Sequence, residues 1–86
     1  GLAERLRILE VHARGKPLSK EVSLEALARD TALFSGAKLE CLLNEAAILA
    51  AKRDAQAIEP ADVQRALDTL LFGMERPAAC RLAHAR

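Results

Sequence analysis

Phe34-Ser35-Gly36-Ala37-Lys38-Leu39-Glu40-Cys41-Leu42-Leu43-Asn44-Glu45-Ala46-Ala47 is the stretch on which the fold turns. A serine, a strong N-cap residue, is followed by two very small residues and then by a run of leucine and alanine with one Asn-Glu pair inside it. Leu39, Leu42, Leu43, Ala46, Ile48, Leu49 and Ala50 wrap more than half of a helical circumference. The spacing predicts a helix over about Gly36 to Arg53, roughly 27 Å long and largely buried, the central strut of a small helical domain. Its start also has chemical interest. Gly36 and Ala37 leave bare backbone N–H groups where an anion or a ligand edge can come close.

Working outward, the upstream residues predict two more helices. Leu2, Leu6, Leu9 and Ala13 share one face of a first helix over about Leu2 to Arg14, widened by Ile8 and Val11. Gly15 and Pro17 close it. Ser23 caps a short second helix whose apolar side is Leu24, Leu27 and Ala28, and Leu33 and Phe34 then lead into the Ser35 cap. Downstream, residues 54–57 form a connection and Ile58 an apolar anchor. Pro60 suits the first turn of a last helix reaching about Phe72, with Val63, Ala66, Leu67, Leu70 and Leu71 on its core face and Gly73 at its end.

Composition agrees with an all-α domain. The chain has 86 residues, room for one core, and is half hydrophobic with only two aromatic residues, Phe34 and Phe72. Alanine and leucine dominate, which is helix-bundle chemistry, and no sheet is expected. A net charge of +1 with interspersed signs argues against a nucleic-acid partner. Arg76, Arg81, His84 and Arg86 make the last residues basic, and without aromatic stacking partners they read as a solvated tail. The apolar runs are far shorter than the ~20 residues that cross a bilayer, so the chain is expected to be soluble. Cys41 and Cys80 have neither metal nor disulfide spacing and fit a reducing compartment. The start at Gly1 and the basic last stretch lead us to expect a piece of a longer protein.

The order of these features resembles the small C-terminal helical subdomain, the lid, of an AAA+ ATPase of the classical AAA clade. The residues that carry the likeness run from about Leu6 to Arg76, most specifically from Thr31 to Ala51, where the family reads T-x-G-F-S-G-A-D-L-x-x-L-x-N-E-A-A. The Asn44-Glu45-Ala46-Ala47 version and the later Gly73-Met74-Glu75-Arg76 are most similar to FtsH-type ATP-dependent metalloproteases, which are membrane-anchored. The resemblance implies a four-helix lid over residues 1–76 and, over 77–86, a tail or connector to a further domain. It also implies an adenine nucleotide, ATP or ADP, shared with a large AAA subdomain, which would supply any magnesium. Partners would be that subdomain, neighbouring subunits of a hexameric ring and a protein substrate. The domain would then sit in cytoplasm, matrix or stroma.

Carried over by position, the resemblance puts His12 near the ribose or adenine and brings the backbone of Gly36 and Ala37 against the nucleoside. Taken alone, without the resemblance, His12 reads rather as a helix-end histidine favouring the C-terminal dipole, and Ser-Gly-Ala as an ordinary helix start. Two departures stand out: Leu33 replaces the usual glycine and Lys38 the usual aspartate, so the Ser-x-x-acid capping box is absent. Lys38 reads as a surface lysine. Asn44 and Glu45 read as a polar strip serving a neighbouring helix end or subunit, and no residue as catalytic. Arg29, Asp30, Lys52 and Arg53 read either as facing an adjacent subunit or as exposed helix ends.

No G-x-x-x-x-G-K-[ST] phosphate loop and no H-E-x-x-H zinc helix occurs in the chain, so by itself it is not expected to hydrolyse ATP or peptides. Two other readings compete with the lid: a helical interaction module that docks a partner protein, and a histone-like DNA binder, against which the near-neutral charge argues.

Overall fold

The computed structural model describes residues 1–72, which form four helices: α1 (Leu2–Ala13), α2 (Leu24–Asp30), α3 (Gly36–Lys52) and α4 (Pro60–Phe72). Each boundary has a local chemical cause. After α1, the amide of Lys16 donates to the carbonyl of Ala13 across a turn with Arg14 extended and Gly15 at φ +79°, a type II geometry whose third position favours glycine. Ser23 caps α2 by accepting from the amide of Ala26, and Ser35 caps α3 by accepting from the amide of Lys38. The buried Thr31 closes α2 by donating its hydroxyl to the carbonyls of Leu27 and Ala28.

The end of α3 is a Schellman motif. Asp54 takes the left-handed conformation usually given to glycine, at φ 57°, while the amides of Asp54 and Ala55 donate to the carbonyls of Ala51 and Ala50. At the next start, Pro60 occupies the first helical position and the Asp62 carboxylate accepts from the amide of Glu59 at 2.9 Å, one half of a capping box.

Helix α3 is the strut: it packs on α1 and on α4, and α1 in turn packs on α2. Leu9, Leu39, Leu42, Leu43 and Ile58 are fully buried at its centre, with Leu27, Ala28, Ala46, Val63, Ala66 and Leu67 around them. Two hydrogen bonds between connections hold the bundle at one end. The amide of Ser19 donates to the carbonyl of Ile58, and the amide of Ile58 donates to that of Pro17, forming a parallel bridge between Leu18 and Ile58. Arg5 adds a side-chain tie from α1 to the carbonyl of Ala28.

The apolar faces predicted from periodicity need four corrections. Ile48 lies on the outer side of α3, Leu71 is 56% exposed, and Leu2 and Val11 are also exposed. The first helix ends one residue early, at Ala13, and the third at Lys52, each with the following arginine as its C-cap. Gly73 as the end of α4, the tail over 77–86 and Cys80 lie outside the described residues. No helix of the described residues is long and apolar enough to cross a membrane.

Candidate functional site

The start of α3 and the end of α1 converge. A Cβ built on Gly36 would lie 3.6 Å from Cδ1 of Ile8, so α1 passes close over the first residue of α3. His12 follows Ile8 by four residues, one helical turn further along the same stripe of α1, and is half-buried. The stripe that contacts Gly36 therefore carries the histidine. Among the described residues the imidazole has no hydrogen-bond partner, and its backbone carbonyl accepts from Lys16 Nζ at 2.7 Å.

Gly36 and Ala37 are the first two helical residues of α3, where amides have no intrahelical acceptor. The Ser35 hydroxyl accepts from Lys38 and the Ser35 carbonyl from Leu39, which leaves the amides of Gly36 and Ala37 without a partner among the described residues. Ala37 is exposed and Gly36 half-buried. The structure thus brings Gly36 against the His12-bearing stripe and leaves two small residues with open amides at its edge. No hydrogen bond joins His12 to either of them among the described residues.

Lys38 is engaged with Phe34: its ammonium lies over the ring, 5.1 Å from the centroid, a cation–π contact. Asn44 and Glu45 are half-buried and make no hydrogen bond to a neighbouring helix among the described residues.

Arg53 is engaged within the chain. Its Nε donates to Asp62 Oδ1 at 2.9 Å and its Nη2 to Asp62 Oδ2 at 2.6 Å, a bidentate fork. Asp62 is 1% exposed, whereas the arginine side chain remains 44% exposed. The fork is the main force holding the Asp62 carboxyl below the usual carboxylate range. Burial opposes it, while the Glu59 amide and Arg65 add to it. The same hydrogen bonds raise the guanidinium. Sequence reasoning missed this pair, and its available signal was the acid three residues after Glu59 with proline between them, the spacing of a capping box.

Hollows open elsewhere among the described residues, such as a groove of about 200 Å³ between α2 and α4 and another of about 240 Å³ lined by Leu2, Leu6, Ala28 and Arg29 between α1 and α2. Neither is lined by His12, Gly36 or Ala37. The described residues contain no group of three or more His, Cys, Asp or Glu able to hold a metal ion.

A four-helix unit with a capped central strut, and with a glycine at the strut's start against the first helix, has the architecture of an AAA+ lid. The AAA+ lid domain family matches residues 21–65, and the chain belongs to that family. It is similar to "ATP-dependent zinc metalloprotease FtsH 1" of Sphaerobacter thermophilus, 55% identical over 75 residues, which are 87% of this chain and 12% of that protein. The protein of the same name from Thermomicrobium roseum is 56% identical over 72 residues, 84% of this chain and 11% of its own. "ATP-dependent zinc metalloprotease FTSH 1, chloroplastic" of Oryza sativa is 49% identical over 78 residues, 91% of this chain and 11% of its own. The chain thus spans little more than a tenth of the length of these curated relatives.

Proposed function

We propose that the chain is the nucleotide-sensing lid of an FtsH-type ATPase. In this reading His12, Gly36 and Ala37 form one wall of an adenine nucleotide pocket. A large AAA subdomain of the same protein supplies the rest, including the phosphate loop and magnesium. ATP or ADP draws the lid down, and the compact bundle carries that displacement as a rigid body to neighbouring subunits of a ring, where it drives unfolding or proteolysis of a protein substrate. The whole protein would be membrane-anchored, with this domain in cytoplasm, matrix or stroma.

The observation that carries the reading is the close approach of α1 to Gly36 beside two open amides, with His12 one turn along the same stripe. Small side chains let a nucleoside approach the backbone, and a partner-free imidazole can donate or accept at the sugar edge. Similarity to proteins named as ATP-dependent supports the choice of nucleotide.

The test is a titration of isotope-labelled protein with ADP or ATP, following the amides of Gly36 and Ala37 and the His12 ring. Saturable shifts at those places, weakened by Gly36→Ala without loss of thermal stability, are expected. The added methyl meets Ile8 at ordinary contact distance, so its effect on the ligand is separable from folding. Silence at all three, both alone and with the large subdomain added, refutes the reading.

One observation favours a second reading, a module that docks a partner protein without nucleotide. Leu33 is 98% exposed on the turn before α3, and Phe72 at the end of α4 is also exposed.

A further inference from the structure

Helices α2 and α4 share the core through Leu27, Val63 and Leu67, but their backbones do not come into contact. Backbone contact joins α1 to α2, α1 to α3 and α3 to α4, and the α2–α4 gap remains as the groove of about 200 Å³. Its lining is mostly apolar, with Val22 and Ala26 beside the largely buried Leu27, Val63 and Leu67, and the polar Gln64 among them. Glu21 and Asp30, both exposed, line it from the two ends of α2, and no basic residue lines it. Glu21 accepts from the Ser19 hydroxyl at 2.7 Å. Asp30 has no partner among the described residues.

This combination selects an occupant. The space is too small for a helix, whose diameter with side chains is ~10–12 Å, and suits one long side chain. An aliphatic ligand would leave the carboxylates unused, and a compact cation would leave the apolar wall unused. Arginine satisfies both: its methylene stem covers apolar surface while its planar guanidinium forks onto a carboxylate. We infer that the α2–α4 groove is a docking site for an arginine flanked by aliphatic residues on a partner protein segment, with Asp30 as the anchor for the guanidinium. The site lies apart from His12 and Gly36, and the inference stands independently of the nucleotide reading.

The test uses the labelled full chain and two synthetic peptides, acetyl-Ser-Ala-Leu-Arg-Leu-Ala-Ser-amide and its twin with citrulline, nearly the same shape without the charge, in place of arginine. The arginine peptide is expected to give saturable shifts at the amides of Val22, Ala26, Val63 and Leu67. The citrulline twin should bind about threefold to fivefold more weakly, in line with a solvent-accessible ion pair, and added salt should narrow the difference. Asp30→Asn, at an exposed helix end, should abolish the discrimination between the peptides while leaving the spectrum dispersed. Equal binding of the twins to the unmodified chain, shifts clustered outside the groove, or no response up to millimolar peptide would overturn the proposal.

Discussion

Replacing Asp62 by asparagine probes the best-defined polar contact in the domain. Oδ2 accepts from both Arg53 Nη2 and the Glu59 amide, and Oδ1 from Arg53 Nε. The best orientation of the amide keeps its oxygen at the first position and turns its NH₂ toward Nε, so two donors meet at a site 1% exposed. Leaving a buried polar group in that state costs about 1–3 kcal/mol. Arg53 keeps nearly half its side chain in water and can resolvate, which places Asp62→Asn toward the lower end, about 1–2 kcal/mol. For a domain of this size that corresponds to a fall in melting temperature of roughly 5–15 °C, read by circular dichroism at the helical band. The pH dependence gives a second readout with a fixed sign. A carboxyl held below its unfolded range contributes stability that is fully present above about pH 4 and is lost as pH falls through the folded value. The variant should flatten that acid limb and leave neutral-pH behaviour otherwise parallel. A melting temperature within about 2 °C of the parent, with the acid limb unchanged, would refute the claim that this carboxylate ties α3 to α4.

Three further outcomes follow from the packing. Ser35→Ala removes the acceptor for the Lys38 amide and should cost about 1 kcal/mol, measured by urea denaturation. Leu42→Ala, at a fully buried site, should cost about 2–5 kcal/mol, a large share of the stability of so small a domain. Leu71→Ala should stay within about 0.5 kcal/mol, because the side chain is mostly in solvent despite its place in an apolar run.

The contrast between Leu42 and Leu71 marks where sequence reading stops. Helix positions and caps follow from short-range chemistry: Ser23 and Ser35 accept from amides three residues on, and Pro60 opens α4. Burial depends on which neighbours a face meets. Ile48 and Leu71 carry apolar side chains on helices whose opposite faces already fill the core, so periodicity alone overcounts the interior. The Schellman turn at Asp54 was hidden because the left-handed residue is not glycine. The Arg53–Asp62 fork was hidden because its geometry depends on that turn. At the candidate site, Gly36 and Ala37 were conspicuous as small residues beside a cap, whereas the reason α1 comes near them, Ile8 against Gly36, required three dimensions.

The bridge between Leu18 and Ile58 alters what the two connections are. By sequence they are unrelated surface loops, each of a kind that ordinarily accepts extra residues at little cost. Because Ile58 accepts from the amide of Ser19 and donates to the carbonyl of Pro17, about forty residues away along the chain, the two connections share one register. Lengthening either loop beside the bridge would slide that register and move the start of α2 relative to α4. Duplications and insertions should therefore be tolerated poorly at residues 17–19 and 57–59, and better at the exposed turn around Lys20, which the bridge leaves free. The amides of Ser19 and Ile58 should accordingly exchange with solvent on the timescale of the core, although both lie in loops.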